Sequence, residues 1–247
     1  MLLECCVDSL ESAIAADRGG AERLELCGNL MIGGTTPDIN LFYRVKNAVK
    51  AKVNVLLRPR FGDFCYSDAE FSILEDDVKM FAEAGADGIV IGVLKVDGTI
   101  DEERMKILIA AAKGLPITFH RAFDVTKDAF QALETCKKLG ISTILTSGQQ
   151  NSAIEGFDLL KKLVEAAGNE IDIMVGSGVS TKTLPKLLET SAKVFHLSAK
   201  KVVESKMEYR REGVSMGLPM MSEFVLWRCD EEEVAKARKI LDNLPKL

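Results

Sequence analysis

Thr118-Phe119-His120-Arg121-Ala122-Phe123-Asp124 sets an imidazole, a guanidinium and a carboxylate directly after a short apolar run. Imidazole and carboxylate exchange protons near neutral pH and a guanidinium holds anions, so this is the residue set of acid–base chemistry on a small charged molecule. Such crowding of polar groups at one strand end is hard to account for by packing. His196, the other of the two histidines, stands in Val194-Phe195-His196-Leu197-Ser198, a second apolar run that ends in a polar residue.

Glutamate and cysteine alternate twice near the N-terminus, as Glu4 with Cys6 and as Glu25 with Cys27. Residues two apart in a strand share a face, so each pair points one way while Leu24 and Leu26 point the other. The leucine side suits contact with helices, which turns Glu25 and Cys27 inward. An unpaired buried charge is costly, and Arg58, at the end of the next strand, is the expected partner of Glu25. That pair serves equally well as a structural ion pair, and His196 equally well as a hydrogen-bonded core histidine. Cys6 and Cys27 are soft metal ligands if they converge; a lone cysteine otherwise packs as a small hydrophobe. Gly176-Ser177-Gly178, with Ser180 at an expected helix start, matches the place where α/β barrels hold phosphate on backbone N–H groups, and Ser198 ends the strand that follows. The same glycines also suit a tight turn.

These residues need a scaffold that brings strand ends together. Strand-length apolar runs lie at about 2–7, 23–27, 53–58, 88–91, 116–120, 143–146, 171–175 and 194–197, with helical patterns between them. Three helix-to-strand corners repeat one design: Gly20-Ala21-Glu22-Arg23-Leu24, Gly85-Ala86-Asp87-Gly88-Ile89 and Gly140-Ile141-Ser142-Thr143-Ile144. Glycine ends each helix and an apolar strand begins about three residues later. Eight such units predict an α/β protein with one closed parallel sheet, a (β/α)8 or TIM barrel. The first strand is not followed by the G-x-G-x-x-G of an open dinucleotide-binding sheet. An irregular tail at about 200–227 and a closing helix at about 231–241 complete the expected single domain, residues 1–247. In this fold the carboxyl ends of the strands form the active face, which is where His120, His196, Arg58, Cys6 and Cys27 fall.

The 247 residues suit one barrel of about 250, and 47% hydrophobic against 28% charged residues suits a large core. A net charge of −5 argues against nucleic acid as a partner. Nowhere are there 18 consecutive apolar residues, and no basic leader precedes the first strand, so neither a membrane span nor a secretion signal is expected. Six cysteines with no C-x-x-C pair are expected to be reduced thiols in a cytoplasmic protein.

Several motifs together resemble the CutC family of copper homeostasis proteins. They are Glu4-Cys5-Cys6-Val7-Asp8-Ser9, Gly20 to Cys27, Gly33-Gly34-Thr35-Thr36-Pro37, Arg58-Pro59-Arg60 with Gly62-Asp63-Phe64 and Tyr66-Ser67-Asp68, Thr118 to Asp124, Thr146-Ser147-Gly148 and Phe195-His196. The likeness runs from the first strand to the eighth and is weak from Lys200 to Trp227, apart from Val214-Ser215-Met216-Gly217. The resemblance implies a cytoplasmic (β/α)8 barrel, a homodimer, and copper binding in which Cys6 and Cys27 look like the family's proposed ligands.

Two functions follow. In the first, Cys6 and Cys27 hold Cu(I), with His120 or His196 as a third ligand. In the second, the protein is an enzyme acting on a small anionic or phosphorylated metabolite. Gly176, Ser177, Gly178 and Ser198 then seat the anion, Arg58 neutralises charge, and His120 works with Glu25 or Glu4 as an acid–base pair, Asp124 and His196 completing the catalytic set.

Overall fold

The protein is seen in a computed structural model that describes residues 1–214, 216 and 222–243. Eight strands, β1 (Leu2–Val7), β2 (Arg23–Leu26), β3 (Lys52–Leu56), β4 (Gly88–Ile91), β5 (Ile117–Phe119), β6 (Thr143–Thr146), β7 (Asp172–Val175) and β8 (Val194–Leu197), close on one another in chain order. Every neighbouring pair is parallel, and β8 returns to β1 with His196 opposite Glu4. Seven helices cross between them: α1 (Leu10–Arg18), α2 (Ile39–Ala48), α3 (Asp68–Glu83), α4 (Glu102–Ala111), α5 (Ala129–Lys138), α6 (Phe157–Ala167) and the short α7 (Leu184–Leu187). This is the (β/α)8 barrel that the alternation of patterns predicts.

Local chemistry places the elements. Ser67 caps α3 in a reciprocal box with Glu70, and Asp38, Asp101 and Asp128 cap α2, α4 and α5 by accepting backbone N–H bonds. The repeated corner works as expected: Gly85 has φ +90°, a left-handed turn that a side chain would strain, and β4 starts three residues later.

Alternation then sorts the side chains. Leu24, Leu26, Val53, Val55, Ile89 and Ile91 point outward into the main core against the helices. Each such fully buried aliphatic side chain stabilises the fold by about 1.5–3 kcal/mol. The opposite face fills the barrel with two small apolar clusters, Cys27–Leu56–Val90 and Leu145–Met174–Val194, and with polar Glu4, Glu25, Asn54 and His196.

Three boundaries differ from expectation. β3 stops at Leu56, so Arg58 belongs to the loop that follows it. The tail is not irregular throughout: β9 (Lys200–Glu204) and β10 (Val225–Cys229) pair antiparallel, and β10 leads into α8 (Glu231–Asp242), which packs on α1 and α7. Ser180 does not open a helix; α7 begins only at Leu184. Ser215 and Gly217 of the tail motif lie outside the described residues. Among those described, no helix is long and apolar enough to cross a membrane.

Candidate functional site

At the carboxyl ends of the strands the barrel opens into a cavity of about 690 Å³. Cys6, Glu25, Arg58, His120 and His196 line it, with Ser177, Gly178 and Ser198 on another side. Asp124, Cys27 and Gly176 are absent from the lining.

One pole is built by β1, β2 and β8. A ligand atom from each of Cys6, Glu25 and His196 lies within 4.8 Å of the other two. The register explains the meeting, because Cys6 stands opposite Glu25 and Glu4 opposite His196. Glu4, fully buried, accepts a hydrogen bond from Nδ1–H of His196 at 2.7 Å and an ion-paired bond from Nε–H of Arg23. Burial alone would raise the Glu4 pKa, but the bonds from His196 and Arg23 outweigh it and hold the carboxyl below its ordinary value. Burial likewise pulls His196 down, yet Cys6, Glu25 and Glu4 together leave its pKa well raised. Glu25 has its Oε2 3.9 Å from His196 Nε2 and its Oε1 without a partner. Burial, reinforced by Glu4, pushes it up to about 7 against the pull of His196 and Arg23.

The buried acids are therefore served by Arg23 rather than Arg58. The expected Glu25–Arg58 pair does not form. Beyond the end of β3 the Arg58 guanidinium reaches into loops, donating from Nη1 to Gly34 O (3.2 Å) and Gly33 O (3.4 Å) and from Nη2 to Gly62 O (2.6 Å). Its face lies 4.9 Å from the Phe64 ring centroid.

The second pole joins Arg58 to His120. Phe64 touches both, its centroid 4.8 Å from that of the imidazole. Nδ1 of His120 accepts the Ala122 N–H at 3.1 Å, and Gly92 has no side chain to collide with that edge of the ring. Burial first and Arg58 second depress the His120 pKa to about 3, so the ring is neutral and carries its proton on Nε2. That Nε2 and the Nε of Arg58 are buried without a protein partner.

Asp124, expected among the catalytic residues, instead ties the β5 and β6 loops together. It accepts from Arg121 Nε (2.7 Å), Thr146 Oγ1 (2.5 Å), Ser147 N (3.0 Å) and Gln149 N (3.1 Å). Cys27 packs against Leu56 and Val90, its Sγ 3.6 Å from Val7 O, and burial keeps its thiol well above the ordinary pKa. It follows Glu25 by two residues, outside the Cys6–Glu25–His196 cluster.

The glycine loop has part of its donors engaged, Gly176 N–H with Thr146 O and Ser177 Oγ–H with Asn151 O. Gly176 is required by packing, since a Cβ would lie 2.5 Å from Leu145 Cδ1. The Ser180 N–H is taken by Thr183 Oγ1 and the Thr181 N–H by Glu233 Oε1. Sequence reasoning missed Arg23, Phe64 and Glu233. Arg23 opens β2, where a charge reads as a surface residue; only the pairing of β1 with β2 sets it opposite Glu4.

A closed parallel barrel whose mouth carries a thiol, a carboxylate and an imidazole on one side and a guanidinium and a second imidazole on the other defines the class of protein. The CutC family model matches residues 1–201. The human copper homeostasis protein cutC homolog is 44% identical over 98% of this chain and 90% of its own, and the mouse homolog 46% over the same shares. A family protein CutC of Bacteroides fragilis is 42% identical over 100% of this chain and 97% of its own. A crystal structure of a CutC copper homeostasis protein from Streptococcus agalactiae superposes with a TM-score of 0.74 at 36% identity, covering 80% of this chain and 98% of that one. Thiamine phosphate pyrophosphorylase from Pyrococcus furiosus, 17% identical with a TM-score of 0.57 over 98% of this chain and 95% of that one, shares the fold alone. The chain belongs to the CutC family.

Proposed function

We propose that this protein binds copper as Cu(I) in copper homeostasis, at the mouth of the barrel, with Cys6 as the anchoring thiolate and His196 Nε2 beside it. The observation that carries this reading is the convergence of Cys6, Glu25 and His196 within 4.8 Å, with the imidazole oriented by Glu4. A carboxylate on Nδ1–H turns Nε2 toward a metal and raises its basicity, and with its pKa well raised the ring must release its Nε2 proton to bind. Thiolate and imidazole are donors that suit Cu(I), whereas Glu25 is the harder and weaker candidate. Cys27, two residues beyond Glu25 and just past the end of β2, is the second sulfur in this reading; as a protonated thiol it must release a proton to bind. The names of the human, mouse and streptococcal relatives support the same assignment. The free state of all six cysteines supports a reducing, cytoplasmic setting. We take the chain to be one domain acting as a homodimer. Competition with a Cu(I)-selective chelator tests the reading: Cys6→Ser must weaken binding severely, and a Cys6→Ser, Cys27→Ser double variant that competes as well as the parent overturns it.

A second reading is an enzyme acting on a small anionic molecule at the same mouth. It is favoured by Glu25, whose pKa of about 7 suits proton transfer, sharing a cavity with the neutral His120.

A further inference from the structure

Resting on that second reading, we propose that His120 and Arg58 form a binding site for the carboxylate of a small molecule, at the pole of the cavity opposite Cys6 and His196. Both residues line the cavity, and both are more than nine-tenths buried, at 4% and 8% exposure. Each keeps one N–H without a protein acceptor, Nε2–H of His120 and Nε–H of Arg58. A buried donor left unpaired costs stability, so two of them on side chains that line one cavity and share contact with Phe64 are organised for an acceptor that arrives from outside.

The donors are held firmly. Ala122 N–H fixes the tautomer of His120, Gly92 makes room for its ring, and Phe64 packs on both side chains. Three backbone carbonyls, from Gly33, Gly34 and Gly62, take N–H groups at the far end of the guanidinium and pin it, and Nε–H is left unpaired.

The number and charge of these donors select a carboxylate over a phosphate. Two N–H groups and one formal charge match two oxygens sharing one negative charge. A phosphate dianion needs more donors, and in and beside the loop expected to supply them the Gly176, Ser180 and Thr181 N–H groups are bonded to Thr146, Thr183 and Glu233 and the Ser177 hydroxyl to Asn151. Asp230 and Glu233 line that side of the cavity and would repel it. Of the other cations on the cavity wall, Arg121 is paired with Asp124, His196 with Glu4, and Lys200 lies over the Trp227 ring. With its carboxylate on Arg58 and His120, a ligand has its remaining atoms within the 690 Å³ cavity that Glu25 also lines.

Pyruvate and inorganic phosphate, titrated separately into the copper-free protein, test the site by calorimetry and by 15N NMR of the His120 ring. Pyruvate is expected to bind and to shift the Nε2 resonance, with phosphate about tenfold weaker or more. Arg58→Lys, which keeps the charge and loses the Nε–H, and His120→Asn are each expected to weaken pyruvate about tenfold or more. The NMR shift in the parent protein stands independently of whether either variant folds. An unmoved His120 resonance at millimolar pyruvate, or phosphate binding as tightly as pyruvate, overturns the inference. Pyruvate that binds at His120 without exchanging its methyl protons for deuterium supports the site and removes proton abstraction from pyruvate as its chemistry.

Discussion

His196 Nδ1 lies 2.7 Å from Glu4 Oε1 inside the closed barrel, joining the last strand to the first. The contact spans almost the whole chain, and it turns the imidazole so that Nε2 faces Cys6 and Glu25.

Glu4→Gln is expected to weaken Cu(I) binding about 10- to 100-fold, because the imidazole loses the carboxylate that orients it. It also leaves the half-buried Arg23 beside a neutral amide, so stability should fall by about 1–3 kcal/mol. Chelator competition and denaturant unfolding of the same sample separate the two effects.

Stability should depend on pH through Glu25. Its folded pKa of about 7 lies above the ordinary value of 4.5, so the folded state holds the proton more tightly, and stability falls as pH rises from about 4.5 to about 7. Glu25→Gln removes that fall. Melting temperatures of parent and variant should converge at acidic pH and separate in favour of the variant at neutral pH; parallel curves would refute the shift.

His120 acts in the opposite sense. Its folded pKa of about 3 lies below the ordinary 6.5, so the unfolded chain takes up the proton first and stability drops as pH falls from about 6.5 toward 3. NMR of the ring should show one neutral form, protonated on Nε2, throughout pH 5–8. A His120 titration midpoint near 6.5 would contradict the buried placement.

Asp124→Asn should act on the fold. Arg121, Ser147 and Gln149 each lose a charged acceptor, and a loss of about 2–4 kcal/mol is expected. Thermal unfolding reads that loss, while copper affinity of the folded fraction should be unchanged.

Gly92→Ala should displace His120, since the new Cβ would lie 2.6 Å from its Cε1. Overpacking of this kind costs about 1–3 kcal/mol, and the His120 ring resonances should move with it.

The sequence by itself determined the barrel. Alternating periods, the glycine corner repeated after α1, α3 and α5, and capping residues such as Ser67 and Asp101 are local signals, and local signals suffice where every unit repeats one pattern. It also picked out side chains that meet at one place: Cys6, Glu25, Arg58, His120 and His196 all line one cavity. Pairing was decided only by the tertiary structure. Whether Glu25 meets Arg58 or His196 depends on the register of the closed sheet and on where β3 ends, and neither is encoded within a single strand. The same holds for Asp124, which is close to His120 in sequence yet bound to the loop after β6, and for Arg23, whose partner Glu4 becomes visible once the first two strands are laid side by side. Side-chain type is a local property; the company a buried charge keeps is set by long-range closure, because burial makes the energy of each polar group depend on the partners that closure brings to it.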